Sequence, residues 1–224
     1  DVQRVFKAGL LFGLVAGGLM TTILLFGADW ITVHIFNSPN SALPLKVMAP
    51  TILVFSIMGV VRGYFQGLGN MVPTSISQVI EQVVNAVISV AASFAFMHWF
   101  ANRETPAAYG AAGGTLGTLS GALAAFVFLT LLMFLYRRQN AKALRRPQAD
   151  RLESWNHVYT ALFLTLTPII LSQFVYQLSG SVDNSMFGFL MSGKGLTEKE
   201  RLSLLGIYGG KYRLLSNVPV AVAS

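Results

Sequence analysis

Three long runs without a charged residue place the strongest constraint on the fold of this 224-residue chain. They extend from Ala8 to Ala28, from Ala107 to Tyr136 and from Val158 to Val182. Each run matches or exceeds the roughly 20 residues that cross a bilayer as a helix. With 54% hydrophobic and 11% charged residues, the chain is also more apolar than a soluble domain of this length requires. We therefore expect an integral membrane protein.

The composition argues against several kinds of chemistry. The chain contains no cysteine, which excludes disulfides and thiolate metal sites, and its three histidines show no metal-ligand spacing. The net charge of +7 comes from basic residues in short connections between apolar segments, which indicates contact with membrane lipids rather than binding of nucleic acid. We expect no enzyme and no cofactor, apart from a coupling ion, Na⁺ or H⁺, if an ion gradient drives the protein.

The apolar segments predict an all-α fold, a polytopic bundle of transmembrane helices, because a helix satisfies its own backbone hydrogen bonds in lipid. The predicted spans are 8–31, 47–68, 73–97, 109–136, 158–182 and a sixth that begins near 214. The stretch YRRQNAKALRRPQADR brings six cations close to span ends, and such clusters stay in the cytoplasm, so the first span should start inside.

The same basic stretch predicts a domain boundary. We expect two bundles, 1–136 and 158–224, joined by a cytoplasmic linker over 137–157.

The connection after the fifth predicted span, on the outer side, contains the segment GLTEKERLSLLGIYGG, which places apolar residues among charges. It is either a short helix lying at the membrane interface or a solvated loop.

Glycines recur at intervals of four in the first and the fourth predicted spans. They are Gly9, Gly13 and Gly17, and Gly113, Gly117 and Gly121. Small residues at this spacing form a flat strip on which a second helix can approach closely. Both spans are therefore predicted to pack tightly against a neighbour through these strips.

Polar residues recur at steps of three or four along the third span, which begins at Pro73. They are Gln78, Glu81, Gln82, Asn85, Ser89 and Ser93. Residues at these steps share one face of a helix. Because an ionised carboxylate inside a bilayer costs on the order of 3 kcal/mol, we expect Glu81 to mark an interior, hydrated surface. Alternatively these side chains only form hydrogen bonds between helices, which we favour for the serines.

A second polar band lies in the fifth span, after Pro168. Its members are Ser172, Gln173, Tyr176, Gln177, Ser179, Asp183 and Asn184. One band in each half of the chain indicates a central polar cavity between two bundles.

Arg62 stands at the inner end of the second span, beside a turn that returns the chain to the third. Two interpretations remain open. Arg62 pairs with Glu81, about two turns into the next helix, which would lower the cost of both charges. Alternatively its guanidinium extends to the cytoplasmic lipid headgroups.

Two motifs carry a family resemblance. The stretch RGYFQGLGNMVPTSISQVIEQ, together with IYGGKYRLLSNVPVAVAS, resembles the polysaccharide-transport branch of the MOP flippase superfamily. Within that branch it is most similar to the stage V sporulation protein B and lipid II flippase-like group of Gram-positive bacteria. The chain would correspond to the third helix through the start of the eighth helix of a longer protein.

The resemblance implies a MATE-like architecture of two six-helix lobes, with residues 1–136 ending the first lobe and 158–224 starting the second. It implies a multi-pass protein of the bacterial cytoplasmic membrane that carries a polyprenyl-pyrophosphate-linked sugar, such as lipid II or a polysaccharide precursor, by alternating access. Its partners would be that lipid-linked glycan and membrane lipids. Cavity arginines in the family neutralise the pyrophosphate, which points to Arg213 ahead of Pro219.

Three functions remain open. In a flippase, Arg62 or Arg213 would meet the pyrophosphate. The amides of a sugar-compatible channel would be Gln78, Gln82, Asn85, Gln173 and Gln177, with Tyr176 in the same cavity. In a cation-coupled MATE-type multidrug exporter, Glu81 or Asp183 would be the ion or proton site. In a scaffold that recruits wall-synthesis enzymes, the polar bands would only join helices. The quoted motifs favour the flippase.

Overall fold

The structure, a computed structural model, describes residues 2–34, 39–103, 105–139, 155–195, 197–212 and 215. In these ranges the secondary structure is helical, with no strand. The helices in chain order are Val2–His34 (α1), Ala42–Gly67 (α2), Val72–Trp99 (α3), Pro106–Gln139 (α4), Trp155–Ser192 (α5) and Glu198–Ile207 (α6). A 3₁₀ turn, Pro39–Ser41, precedes α2, and a π turn, Tyr208–Tyr212, follows α6.

The first five helices are each long and apolar enough to cross a membrane. The predicted all-α, polytopic fold is confirmed. The sixth predicted span, near residue 214, and most of the linker at 137–157 lie outside the described residues, and the domain bounds stay a prediction.

The observed helices extend beyond the predicted spans. Helix α5 continues to Ser192, whereas the sequence predicted an end at 182 and a connection afterwards. The prediction concerned the membrane span, and the part of α5 that is apolar enough to cross a membrane, Trp155–Leu178, agrees with it. The backbone hydrogen bonds of the helix continue beyond that part. Helix α2 likewise begins at Ala42, before the predicted 47, since Pro44 lies in its first turn, where a missing N–H leaves no hydrogen bond unmade.

Residues 1–162 form one compact unit, in which α1 packs on α2, α2 on α4, and α4 on α3. Its apolar core lies where α1, α2 and α4 meet. The buried members are Phe6, Met58, Val61, Tyr64, Phe65, Ala125, Leu129 and Met133. The Phe6 and Tyr64 rings meet edge to face, with their centroids 5.1 Å apart. Rigid rings at this junction hold α1 against α2 at the end that carries the α2–α3 turn.

Both glycine strips lie in helix contacts, as predicted. A Cβ atom on Gly13 of α1 would lie 3.1 Å from the Ser56 carbonyl oxygen of α2. A Cβ atom on Gly113 of α4 would lie 2.5 Å from the Ala92 carbonyl oxygen of α3. A Cβ on Gly113 could not fit without a shift of the backbone, and one on Gly13 would require the Ser56 carbonyl to move by a few tenths of an ångström. The missing side chains therefore allow the helices to approach this closely.

Serines of α3 add hydrogen bonds across the α3–α4 contact. The Ser93 hydroxyl donates to the Gly110 carbonyl at 2.7 Å, and the Ser89 oxygen lies 2.7 Å from the Gly114 carbonyl oxygen. These carbonyls are within reach because α4 carries glycines along this face. The interpretation that the serines join helices is confirmed for Ser89 and Ser93.

Residues 163–224 form a second unit. From Phe163 to Leu178 nearly every side chain of α5 is exposed.

The segment GLTEKERLSLLGIYGG, which was predicted as either a short helix or a loop, is helical, since it contains α6. Thr197 begins this helix with a capping box, because its hydroxyl accepts the Glu200 N–H and its own N–H donates to the Glu200 carboxylate at 2.9 Å. A position at the membrane interface stays a prediction.

Acidification will loosen the first turn of α6. The Thr197 backbone N–H, and after it the Thr197 hydroxyl, lower the pKa of the Glu200 carboxyl below its usual value. A carboxyl with a lowered folded pKa stabilises the helix start above its unfolded pKa of about 4.3, and this stabilisation is lost as the pH falls through the folded value. Exchange of the backbone amide hydrogens in the first turn of α6, corrected for the intrinsic exchange rates, should become faster in the wild type as the pH falls. The Glu200→Gln variant should show no such step, and an identical step in both proteins would contradict the assignment.

Candidate functional site

An ion pair joins α2 and α3 near the turn that connects them. The Arg62 Nη2 atom lies 2.7 Å from Glu81 Oε2, and Arg62 Nε donates to the Ser77 hydroxyl oxygen at 3.0 Å. The Arg62 and Glu81 side chains are 15% and 12% exposed. Of the two interpretations open for Arg62, the structure shows the pair with Glu81.

The local sequence explains why these groups meet. Helix α2 ends at Gly67, and Gly69 adopts a φ of 77°, a left-handed conformation that favours glycine. The Asn70 carboxamide oxygen then accepts the Val72 N–H at 3.1 Å, and α3 starts at once with Pro73 in its first turn. This short connection places the last turns of α2 beside the first turns of α3.

Ser77 orients the pair. Its hydroxyl is fully buried and donates to the Thr74 carbonyl at 2.7 Å, so a lone pair on its oxygen is left to accept the Arg62 N–H. Glu81 follows Ser77 by one helical turn, which aligns both acceptors with the guanidinium. Sequence reasoning missed Ser77, although its place one turn before Glu81 was the available signal.

The remaining polar residues of α3 divide into two rows. Asn85 faces α4, because its carboxamide oxygen lies 2.8 Å from Ser89 Oγ and accepts the Thr118 hydroxyl at 3.4 Å. Gln78 and Gln82 are exposed. The predicted common face therefore contains a row that joins helices and a row of exposed carboxamides.

Four of the predicted site residues of the second unit lie on α5. Gln173, Tyr176 and Gln177 are exposed, and so is Asp183, which follows the apolar part of the helix. Arg213 lies outside the described residues. In the described residues no three carboxylate, imidazole or thiol groups are placed to hold a metal ion.

A second ion pair, at the opposite end of the first unit, was also missed. Lys46 Nζ lies 2.8 Å from Asp29 Oδ2, with the side chains 39% and 68% exposed. The pair joins α1 to α2, from residues 17 positions apart. The sequence contained one indication of a charged contact here, because Asp29 directly follows the first uncharged run.

Sequence comparisons identify the family. The sequence model of the family described as polysaccharide biosynthesis protein matches residues 2–224. Stage V sporulation protein B of Bacillus subtilis is 28% identical over 161 residues, which cover 72% of this chain and 29% of that protein. Lipid II flippase MurJ of the same organism is 26% identical over 234 residues, covering 99% of this chain and 42% of the relative.

A third Bacillus subtilis relative, the uncharacterized membrane protein YabM, is 27% identical over 206 residues, covering 92% of this chain and 37% of that protein. The chain thus spans less than half the length of these curated relatives. No solved structure matches it significantly. Because the family model covers nearly the whole chain, this multi-pass protein of the bacterial cytoplasmic membrane belongs to the polysaccharide biosynthesis protein family, in the polysaccharide-transport branch of the MOP flippase superfamily that its motifs resemble.

Proposed function

We propose that the complete protein is a flippase that carries a polyprenyl-pyrophosphate-linked sugar across the cytoplasmic membrane by alternating access. The observation that carries this proposal is the family match over residues 2–224, with a relative named as a lipid II flippase aligned to nearly the whole chain. The transported molecule combines an anion with a polyhydroxylated sugar, so the protein needs a cation for the first and hydrogen-bonding groups for the second.

The exposed row on α3 suits the sugar. A carboxamide carries two N–H donors and a carbonyl acceptor, which can bind neighbouring hydroxyl groups without a net charge. Gln78 and Gln82 are exposed one helical turn apart. Their arrangement supports a sugar contact at this end of the first unit.

The ion pair bears on how the pyrophosphate is held. Arg62 is already neutralised by Glu81 at 2.7 Å, and its Nε–H is bonded to Ser77. A pyrophosphate that approached Arg62 would also meet the Glu81 carboxylate, whose negative charge repels it. We therefore assign Arg62 a positioning role, in which it holds α3 and its glutamine row against α2. The pyrophosphate contact then falls on another cation, and the family resemblance points to Arg213.

The same pair weakens the exporter alternative. A cation bound at Glu81 would meet the positive charge of the Arg62 guanidinium, which lies 2.7 Å from the carboxylate. Among the two acids considered for that function, Asp183 then remains. No step of the proposed cycle is assigned to a coupling ion.

The role of Arg213 can be tested by transport. In proteoliposomes that contain the complete protein, Arg213→Ala should lower the movement of fluorescent lipid II by about tenfold or more, the factor expected for loss of a charge-assisted hydrogen bond of about 1.5 to 3 kcal/mol. Arg213→Lys keeps the charge and should retain part of the rate. Full movement in Arg213→Ala would remove this residue from the proposal while leaving the flippase itself in place.

A further inference from the structure

A polar cleft of about 260 Å³ lies at the end of the first unit opposite to the Arg62–Glu81 pair. Three segments that are distant in the sequence form it: the end of α1, the start of α2 and the start of α4. Its polar lining includes Asp29, Asn40, Lys46, Thr105 and Tyr109. We propose that this cleft is a binding site for a neutral sugar ring of the lipid-linked glycan, a proposal whose ligand rests on the proposed flippase function.

The charge of the cleft favours a neutral ligand. Asp29 and Lys46 neutralise each other at 2.8 Å, so a phosphate would meet the carboxylate and a free cation would meet the ammonium group. Both side chains remain partly exposed, at 68% and 39%. An ammonium group has three N–H donors and a carboxylate has two acceptor oxygens, so the pair can bind hydroxyl groups while it stays intact.

Aromatic packing gives the cleft a fixed wall. The Tyr109 ring stacks on Phe100, with centroids 4.3 Å apart and planes 19° apart. An aromatic ring held in place costs little conformational entropy on binding and offers an apolar surface with a polar edge. A sugar ring has the matching character, since its C–H groups form apolar patches and its hydroxyls lie at the rim.

The size of the cleft sets the size of the ligand. Pockets for drug-sized molecules have volumes of about 300 to 1,000 Å³. At about 260 Å³ the cleft is smaller and suits a single sugar ring rather than a whole oligosaccharide. The cleft adjoins the chain connections before α2 and before α4, which are at the outer side in the predicted topology, where a transported headgroup would leave the protein.

Saturation-transfer NMR on the complete protein in nanodiscs can test the site. The probes are glucose, glucose 6-phosphate and phosphoethanolamine, the last a zwitterion that could also match an ion pair. We expect the wild type to transfer saturation to glucose in preference to both phosphates. Asp29→Asn should reverse the preference for glucose over glucose 6-phosphate, because the Lys46 ammonium group is then unpaired. Arg103→Gln, a charge change at an exposed residue of the same end that does not line the cleft, should leave the preference unchanged.

Each outcome decides the proposal. A preference for glucose that reverses in Asp29→Asn and is weakened about tenfold in Tyr109→Ala supports it, since one lost aromatic contact of this kind corresponds to about that factor. Absence of glucose binding, or equal binding by wild type and Asp29→Asn, overturns it. Preferred binding of phosphoethanolamine overturns it in favour of a lipid headgroup site. Binding is measured without transport, so failure of the flippase function and failure of this site give different results.

Discussion

Removing either member of the Arg62–Glu81 pair alone will destabilise the protein more than removing both. Breaking a buried ion pair leaves a charge without a partner and costs about 3 to 5 kcal/mol, and the partial exposure of this pair reduces the expected cost to about 2 kcal/mol. Arg62→Met and Glu81→Leu should each show this loss. The double variant should lose less stability than either single variant, because no unpaired charge remains. Thermal unfolding of the complete protein in detergent measures the differences.

The exposed Asp29–Lys46 pair provides the control. Lys46→Met breaks a contact of similar length, 2.8 Å, in a position where the side chains are 39% and 68% exposed. Exposed pairs contribute about 0 to 1 kcal/mol, so this variant should unfold near the wild-type temperature. Equal losses at both pairs, or additive losses in the Arg62→Met/Glu81→Leu variant, would contradict the account of the Arg62–Glu81 pair as a partly buried tie between α2 and α3.

Adding one methyl group at Gly117 will separate α3 from α4. A Cβ atom on Gly117 would lie 2.6 Å from Ser89 Cα, a distance that requires the backbones to move apart. Gly117→Ala should therefore destabilise the protein by about 1 to 3 kcal/mol, the range for overpacking. It should also weaken the contact between Ser89 Oγ and the Gly114 carbonyl, now 2.7 Å long.

Gly18 offers a matched control within the membrane helices. Among the described residues, a Cβ atom on Gly18 would have no heavy atom of a neighbouring side chain or helix within 4 Å. Gly18→Ala should be neutral or stabilising, since alanine favours a helix over glycine by about 1 kcal/mol. Unfolding temperatures of Gly117→Ala and Gly18→Ala in the same detergent test the difference, and a similar loss in both would show that glycine acts here through helix propensity rather than through close packing.

The spans could be predicted from the sequence because one physical property, high hydropathy with few charges over a membrane's thickness, decides them. The ends of the helices could not, as Ser192 shows, since a helix does not have to stop where lipid contact stops. The glycine strips were predictable because their spacing alone places Gly113 and Gly117 on one face of a helix.

The candidate site was only partly predictable. Helical spacing placed Gln78, Glu81 and Asn85 on a common face, but it does not tell which neighbour that face meets. The short α2–α3 turn brings Glu81 to Arg62, while the α4 glycines bring a carbonyl to Ser89 and leave Asn85 beside Thr118. The polar cleft was beyond sequence reasoning, because segments near residues 29, 46 and 109 form it and no local pattern connects them.

Transport by the complete protein in proteoliposomes tests the central proposal most directly. One set of vesicles contains fluorescent lipid II, and a matched set contains a cationic dye under a sodium or a proton gradient. The account predicts transbilayer movement of lipid II above that in protein-free vesicles, without accumulation of the dye. Dye accumulation that stops in Asp183→Asn, in a protein that moves no lipid II, would contradict the flippase and establish a cation-coupled exporter instead.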